Sequence, residues 1–170
     1  MSNLVFVDCE ADGGPGRESQ GGDCPATGRL TQIGAVLRGE DGKIRTFYAD
    51  LRLPTTEGQC WDSRVQECFA LFGEWLRIVV PKGRRPVMVS DNPAYDWQWI
   101  NDGFRRMMHG HNPFGHSARR IGDFYAGLCG DFRRSNEWKR LRVTKHTHNP
   151  VDDAMGNLEA FERMLKGERA

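Results

Sequence analysis

The sequence predicts an α/β fold, a mixed five-stranded sheet flanked by helices. Three β-patterned segments follow one another before any helical periodicity begins, and two shorter apolar runs then alternate with helical segments, giving the order β-β-β-α-β-α-β-α. Consecutive strands with no helix between them pair as an antiparallel meander, whereas strands joined by helical crossovers run parallel. With 170 residues, the chain is of the usual size for one domain and can bury a core without disulfide staples. A single domain over residues 1–170 is expected, with no internal repeat or linker.

The elements follow in order. Leu4 to Glu10 is apolar and β-branched until it meets acid, and six glycines from Gly13 to Gly28 then mark a long loop. Leu30–Leu37 and Lys43–Asp50 read as the next two strands, with Gly39, Asp41 and Gly42 supplying hairpin chemistry. From Ser63, a possible cap, Val65, Cys68, Phe69, Phe72, Trp75, Leu76 and Val79 recur at helical spacing. Pro86–Ser90 is a short apolar strand, and Pro93 pre-sets the first turn of a helix carrying Tyr95, Asp96, Trp97, Trp99 and Ile100. Arg119–Asp123 reads as a last short strand before a helix from Phe124, and Pro150 opens the final helix through Leu158, Phe161 and Leu165.

Composition narrows the function. A charged fraction of 28% with 38% hydrophobic residues fits a soluble globular protein and excludes a disordered chain. No basic and apolar leader opens the sequence, and no run approaches the roughly 18 apolar residues of a membrane span, so no membrane partner and a cytoplasmic location are expected. Five cysteines, odd in number and without C-x-x-C spacing, read as reduced thiols. The net charge of +1 hides a segregation: Gly103 to His146 holds ten Lys/Arg against three Asp/Glu, and the remainder is acidic. That division suits an anionic partner on one side and a cation-binding centre on the other, although charge runs also serve simply as solvated faces.

Three segments carry chemistry. Asp8-Cys9-Glu10 ends the first strand, and period-two alternation points both carboxylates the same way, about 6.5 Å apart, a spacing that suits a hard divalent ion between them. In Ser90-Asp91-Asn92-Pro93-Ala94-Tyr95-Asp96, Asn92 closes a strand and Asp96 lies in the first turn of a helix, where capping and the macrodipole also favour an acid. In His148-Asn149-Pro150-Val151-Asp152-Asp153-Ala154, Asn149 fits the N-cap and Asp152 the reciprocal capping position. Asp153 lies about 100° further round, beside the small Ala154, and His148 overhangs the same point from the loop. Each segment also has a bland reading: an acidic strand end, a capped helix, a surface histidine.

Together the three segments resemble the DEDDh class of 3′–5′ exonucleases, with its RNase H-like fold. Its motifs occur in order as D-x-E at Asp8 and Glu10, N-x-x-x-D at Asn92 and Asp96, and H-x-x-x-x-D at His148 and Asp153, while Thr31-Gln32-Ile33-Gly34-Ala35 looks like the family's second strand. The resemblance runs from Val5 to about Phe161. It implies that Asp8, Glu10, Asp96 and Asp153 hold two Mg²⁺ or Mn²⁺ ions about 3.5–4 Å apart. It also implies that His148 is the general base. The substrate would be the 3′ end of single-stranded RNA or DNA and the products nucleoside 5′-monophosphates. Compact stand-alone members are often homodimers, so a homodimer is a further expectation.

Around the second motif, Tyr95, Trp97 and Trp99 offer rings for base stacking or for the core, with Trp99 expected to be buried. The pairs Arg105-Arg106 and Arg119-Arg120, with Lys139-Arg140 and Arg142, are candidates for phosphate contacts or for solvated surface. One departure stands out. Where the family commonly has Thr residues and then Gly after D-x-E, this chain reads Ala11, Asp12 and Gly13, so a hydroxyl contact to the terminal nucleotide is lost. The backbone of Ala11 and Asp12 remains available to a 3′-OH, while the Asp12 carboxylate either repels phosphate or assists a metal. The glycine-rich loop either covers the site or is disordered. Besides the exonuclease reading, the sequence admits a catalytically silent nucleic-acid-binding or partner-docking module, and a same-fold endonuclease acting on hybrids.

Overall fold

The computed structural model describes residues 2–13, 24–53, 58–107 and 110–170. Most of the glycine-rich loop lies outside the described residues, and with it the expectation that this loop covers the site or is disordered. Strand β1 (Leu4–Asp12), β2 (Arg29–Arg38), β3 (Ile44–Asp50), helix α1 (Trp61–Val79), β4 (Val87–Ser90), α2 (Pro93–Met107), β5 (Arg119–Arg120), α3 (Ile121–Cys129) and α4 (Pro150–Leu165) follow in order, with 3₁₀ turns at Phe132–Arg134 and Glu137–Leu141. The sheet order is β3-β2-β1-β4-β5. The first three strands pair antiparallel, whereas β1 with β4 and β4 with β5 are parallel, as the helical crossovers require.

Alternation along β1 sorts its side chains. Val5, Val7 and Cys9 face α1 and α2, joining Phe69, Phe72, Ile100 and Phe104 in one core. Phe6 faces the other way, into a second core with Val36, Ile121, Tyr125, Ala154 and Leu158. By the same period of two, Asp8 and Glu10 share the face of Phe6, the face covered by α4. Asp8 pairs with Gly34 on β2, and a β-carbon on Gly34 would sit 2.2 Å from the carbonyl carbon of Pro150. Gly34 is therefore glycine because the first turn of α4 lies directly on the strand beside Asp8.

The β1–β2 register shifts between Glu10 and Ala11: Glu10 faces Gln32 and Ala11 faces Leu30, so Thr31 is the extra residue of a bulge. The Thr31 carbonyl is satisfied instead by Leu51 N at 2.7 Å.

Several boundaries differ from expectation. Helix α1 starts at Trp61 with Cys60 in the N-cap position, and Ser63 lies inside the helix with its hydroxyl 3.1 Å from Cys60 Sγ. Strand β5 stops at Arg120 because only Val89 and Ser90 pair with it, and Ile121 then turns into the core as the first residue of α3. The two 3₁₀ turns carry too short a pattern to read as helices; Trp138 and Leu141 nevertheless seat the second one in the α4-side core. Among the described residues, no helix is long and apolar enough to cross a membrane.

Candidate active site

The C-terminal ends of the parallel strands β1 and β4 meet the N-termini of α2 and α4, the edge where α/β sheets hold ligands. Strand β1 brings Asp8 and Glu10. Helix α2 brings Asp96, which is buried, accepting from the Cys9 amide at 3.0 Å through Oδ1 and from the Ser90 hydroxyl through Oδ2. Ser90 is a pivot: its oxygen also accepts from Asn92 N at 3.0 Å, while the Asn92 carbonyl accepts from the amides of Tyr95 and Asp96. The turn that starts α2 is thereby tied to the carboxylate it delivers.

Helix α4 brings Asp153, 1% exposed, whose Oδ1 accepts from Thr147 N at 3.0 Å. The Asn149 side chain caps α4 as expected, accepting from Val151 N at 3.0 Å. The expected reciprocal bond from Asp152 to the Asn149 amide is replaced. That amide donates to Thr147 Oγ1 at 3.2 Å, and the same hydroxyl donates to Asp152 at 2.8 Å, so Thr147 is the link between cap and helix. His148 holds a left-handed backbone with φ of 59° and projects into solvent, 76% exposed, with Nδ1 3.8 Å from Glu10 Oε1.

The four motif acids thus converge. Asp8, Glu10 and Asp153 each offer an oxygen within 4.8 Å of the others, and so do Asp8, Asp91 and Asp96. Burial raises the carboxyl pKa of Asp8 well above its ordinary value, and the charges of Asp96, Asp153, Asp91 and Glu10 raise it further. Burial likewise dominates the upward shift of Asp96, against the opposing hydrogen bond from Ser90. Glu10 is raised too, by burial, with His148 pulling the other way. Packed carboxylates that resist ionisation are a donor set short of positive charge, and hard oxygen ligands so placed fit divalent cations such as Mg²⁺ or Mn²⁺.

Asp91, which the motifs do not single out, joins Asp8 and Asp96 and is faced by Lys139 Nζ at 3.3 Å and Arg142 Nη2 at 3.5 Å. Arg142 is largely buried, bonds Asn157 and lies 4.8 Å above the Trp138 ring, so it serves as a strut rather than a free phosphate contact. Arg106 is paired with Asp102 and Arg120 with Asp123, at 2.8 and 2.9 Å. His146 was missed: its Nδ1 lies 2.7 Å from Asp153 Oδ2 and its ring is 4.4 Å from that of His148. No local pattern marks it, because His146 reaches Asp153 through space from the loop before α4. Trp99 is buried as expected, while Tyr95 and Trp97 are half-buried against the α1–α2 core, Tyr95 edge-on to Trp99 at 6.1 Å. Asn92 is exposed beside Asp91, and Ala11 and Asp12 lie at the half-buried tip of β1.

No protein-family model matches the chain. A curated relative, the 3′-5′ DNA exonuclease Cap18 of Escherichia coli, is 32% identical over 100 residues, 56% of this chain and 53% of that protein. The match therefore spans about half the length of the relative. Among solved structures, the nuclease domain of 3′hExo, a DEDDh family member bound to rAMP, superposes with a TM-score of 0.65 at 13% identity, over 96% of this chain and 92% of that one. Cell-death related nuclease 4 (CRN-4) gives 0.52 at 13% identity, over 98% and 64%. With a 3-2-1 antiparallel meander, two further parallel strands and three acidic motifs gathered at their ends, the chain has the RNase H-like DEDDh nuclease fold.

Proposed function

We propose that this chain is a metal-dependent 3′–5′ exonuclease that releases nucleoside 5′-monophosphates from single-stranded nucleic acid. The observation that carries the reading is the convergence of Asp8, Glu10 and Asp153 within 4.8 Å, with Asp96 and Asp91 alongside Asp8. Asp8, Glu10, Asp96 and Asp153 would hold two divalent cations, Mg²⁺ or Mn²⁺. Bound there, the cations supply the positive charge that stabilises the attacking and leaving oxygens of a phosphodiester. Neutral His148 accepts the proton of the attacking water at Nε2, with Nδ1 turned towards Glu10. The backbone of Ala11 and Asp12 receives the terminal ribose, and Asn92 borders the same opening. Tyr95 and Trp97 present their open faces to the terminal bases, where stacking is worth roughly 1–3 kcal/mol per base and tolerates any sequence.

The Cap18 relative is named for DNA, so matched DNA and RNA oligomers are assayed side by side. With 5′-labelled single strands, a ladder of shortened products forms with Mg²⁺ or Mn²⁺ and not with EDTA, and Asp8→Ala abolishes it. A circular single strand, which has no 3′ end, stays intact; its cleavage would indicate an endonuclease. Tight binding of linear strands with no product under any metal condition would refute the exonuclease and leave a silent binding module.

A further inference from the structure

Asp153 has two differently treated oxygens. Oδ1 accepts the Thr147 amide at 3.0 Å. Oδ2 is buried and accepts no hydrogen bond among the described residues, although His146 Nδ1 stands 2.7 Å away. A buried carboxylate oxygen without a donor is costly, and a facing ring nitrogen relieves that cost only where it carries the proton. A cation shared between the two atoms relieves it as well. His148 completes the group: one nitrogen of each ring and an Asp153 oxygen all lie within 4.8 Å of one another.

Two imidazoles and one carboxylate form a softer donor set than the all-oxygen cluster of Asp8, Asp91 and Asp96. Mg²⁺ prefers oxygen, whereas imidazole favours Zn²⁺ and its later first-row neighbours. Ligand atoms about 2.1 Å from a tetrahedral Zn²⁺ sit roughly 3.4 Å apart, with the fourth position left to water. The side chains able to adjust to that geometry are the exposed ones: the His146 side chain is 49% exposed and that of His148 76%, against 1% for Asp153.

We propose that His146, His148 and Asp153 form a Zn²⁺ site on the outer side of the acidic centre, and that its occupation inhibits the enzyme. The ion occupies a nitrogen of His148 and an oxygen of Asp153, and so withholds both side chains from the acidic centre. The inhibitory consequence rests on the nuclease reading; the binding does not.

The test is calorimetric titration of ZnCl₂ into the full chain in a large excess of Mg²⁺, comparing the native protein with His146→Ala and His148→Ala, each checked by thermal melting to be folded without Zn²⁺. The native chain binds one Zn²⁺ at this site, and each variant weakens it at least about tenfold. No saturable Zn²⁺ binding, or a smaller loss in His146→Ala, would overturn the site, because zinc held by cysteines or by the other acids does not respond to His146. In parallel, Zn²⁺ stops Mg²⁺-supported hydrolysis by the native chain at concentrations that leave His146→Ala at its own zinc-free rate. Equal inhibition of the two would overturn the inhibitory role. If neither form hydrolyses nucleic acid, the nuclease reading fails and the calorimetry still decides the site.

Discussion

The contact between β2 and the start of α4 makes Gly34→Ala a demanding test of how the site is assembled. The added methyl would lie 2.2 Å from Pro150 C and 2.4 Å from both Pro150 O and Val151 N, all of them backbone atoms that no rotamer can move aside. Ordinary contact begins at 3.4 Å, so strand and helix must separate by about 1 Å. Overpacking of this kind costs about 1–3 kcal/mol. For a chain of this size each kcal/mol lowers the melting temperature by about 2–4 °C. Asp153 lies one turn further along α4 and moves with it, and a displacement of about 1 Å at a reacting centre costs on the order of a hundredfold in rate. Urea unfolding measures the first effect and single-turnover hydrolysis at saturating Mg²⁺ the second. Gly127→Ala in α3 is the control, since nothing lies within 4 Å of its added methyl. A helical alanine there is expected to stabilise by about 0.5–1 kcal/mol. If Gly34→Ala matched the native chain in both midpoint and rate, the argument from close backbone approach would be refuted.

Three further outcomes are expected. Asp8, Asp96 and Glu10 all have folded-state pKa values above the ordinary 3.8 or 4.5. The folded state therefore binds more protons than the unfolded chain, and stability present below those ordinary values is lost as pH rises through the raised ones. In EDTA the melting temperature should fall from about pH 5 to about pH 9, and Mg²⁺ should recover most of the loss at the alkaline end; a flat or rising metal-free profile contradicts this. Arg142→Ala leaves Asp91 facing Asp8 and Asp96 without its buried partner and uncovers Trp138, so denaturant titration should register a loss of about 3 kcal/mol, far more than for the half-exposed Lys139→Ala. His148→Ala should lower kcat by about 10²–10⁴ while leaving the melting temperature nearly unchanged, because that side chain is 76% exposed; a kcat within threefold of native would remove His148 as the base.

The parts of the fold that were legible in the sequence are those with a strong local period. The alternation of Leu4–Glu10 and the helical recurrence of Val65 to Val79 fall where β1 and α1 are found, because burial on one face enforces those periods. The short elements were less legible: β5 is two residues long and is defined by its pairing to Val89 and Ser90, a long-range fact with no local pattern. At the site, the positions of Asp8, Glu10, Asp96 and Asp153 could be anticipated because each occupies a strand end or a first helical turn. Ser90, Asp91 and His146 could not, since their parts are played through space: a hydroxyl onto Asp96, a carboxylate held by Lys139 and Arg142, and a ring against Asp153. Likewise Arg142 looked like one more surface cation until Trp138 and Asn157 enclosed it.

The register shift between Glu10 and Ala11 divides β1 into two inheritable parts. Before it, the pairing of Asp8 with Gly34 locks the acids to α4, and a change of register there would turn every ligand to the wrong face. After it, the tip at Ala11 and Asp12 is paired one step out of phase, with Thr31 absorbing the difference. Substitutions at the tip can therefore accumulate without sliding the acids along the sheet. What the tip of the strand contacts can thus change while the carboxylates of Asp8 and Glu10 stay in place.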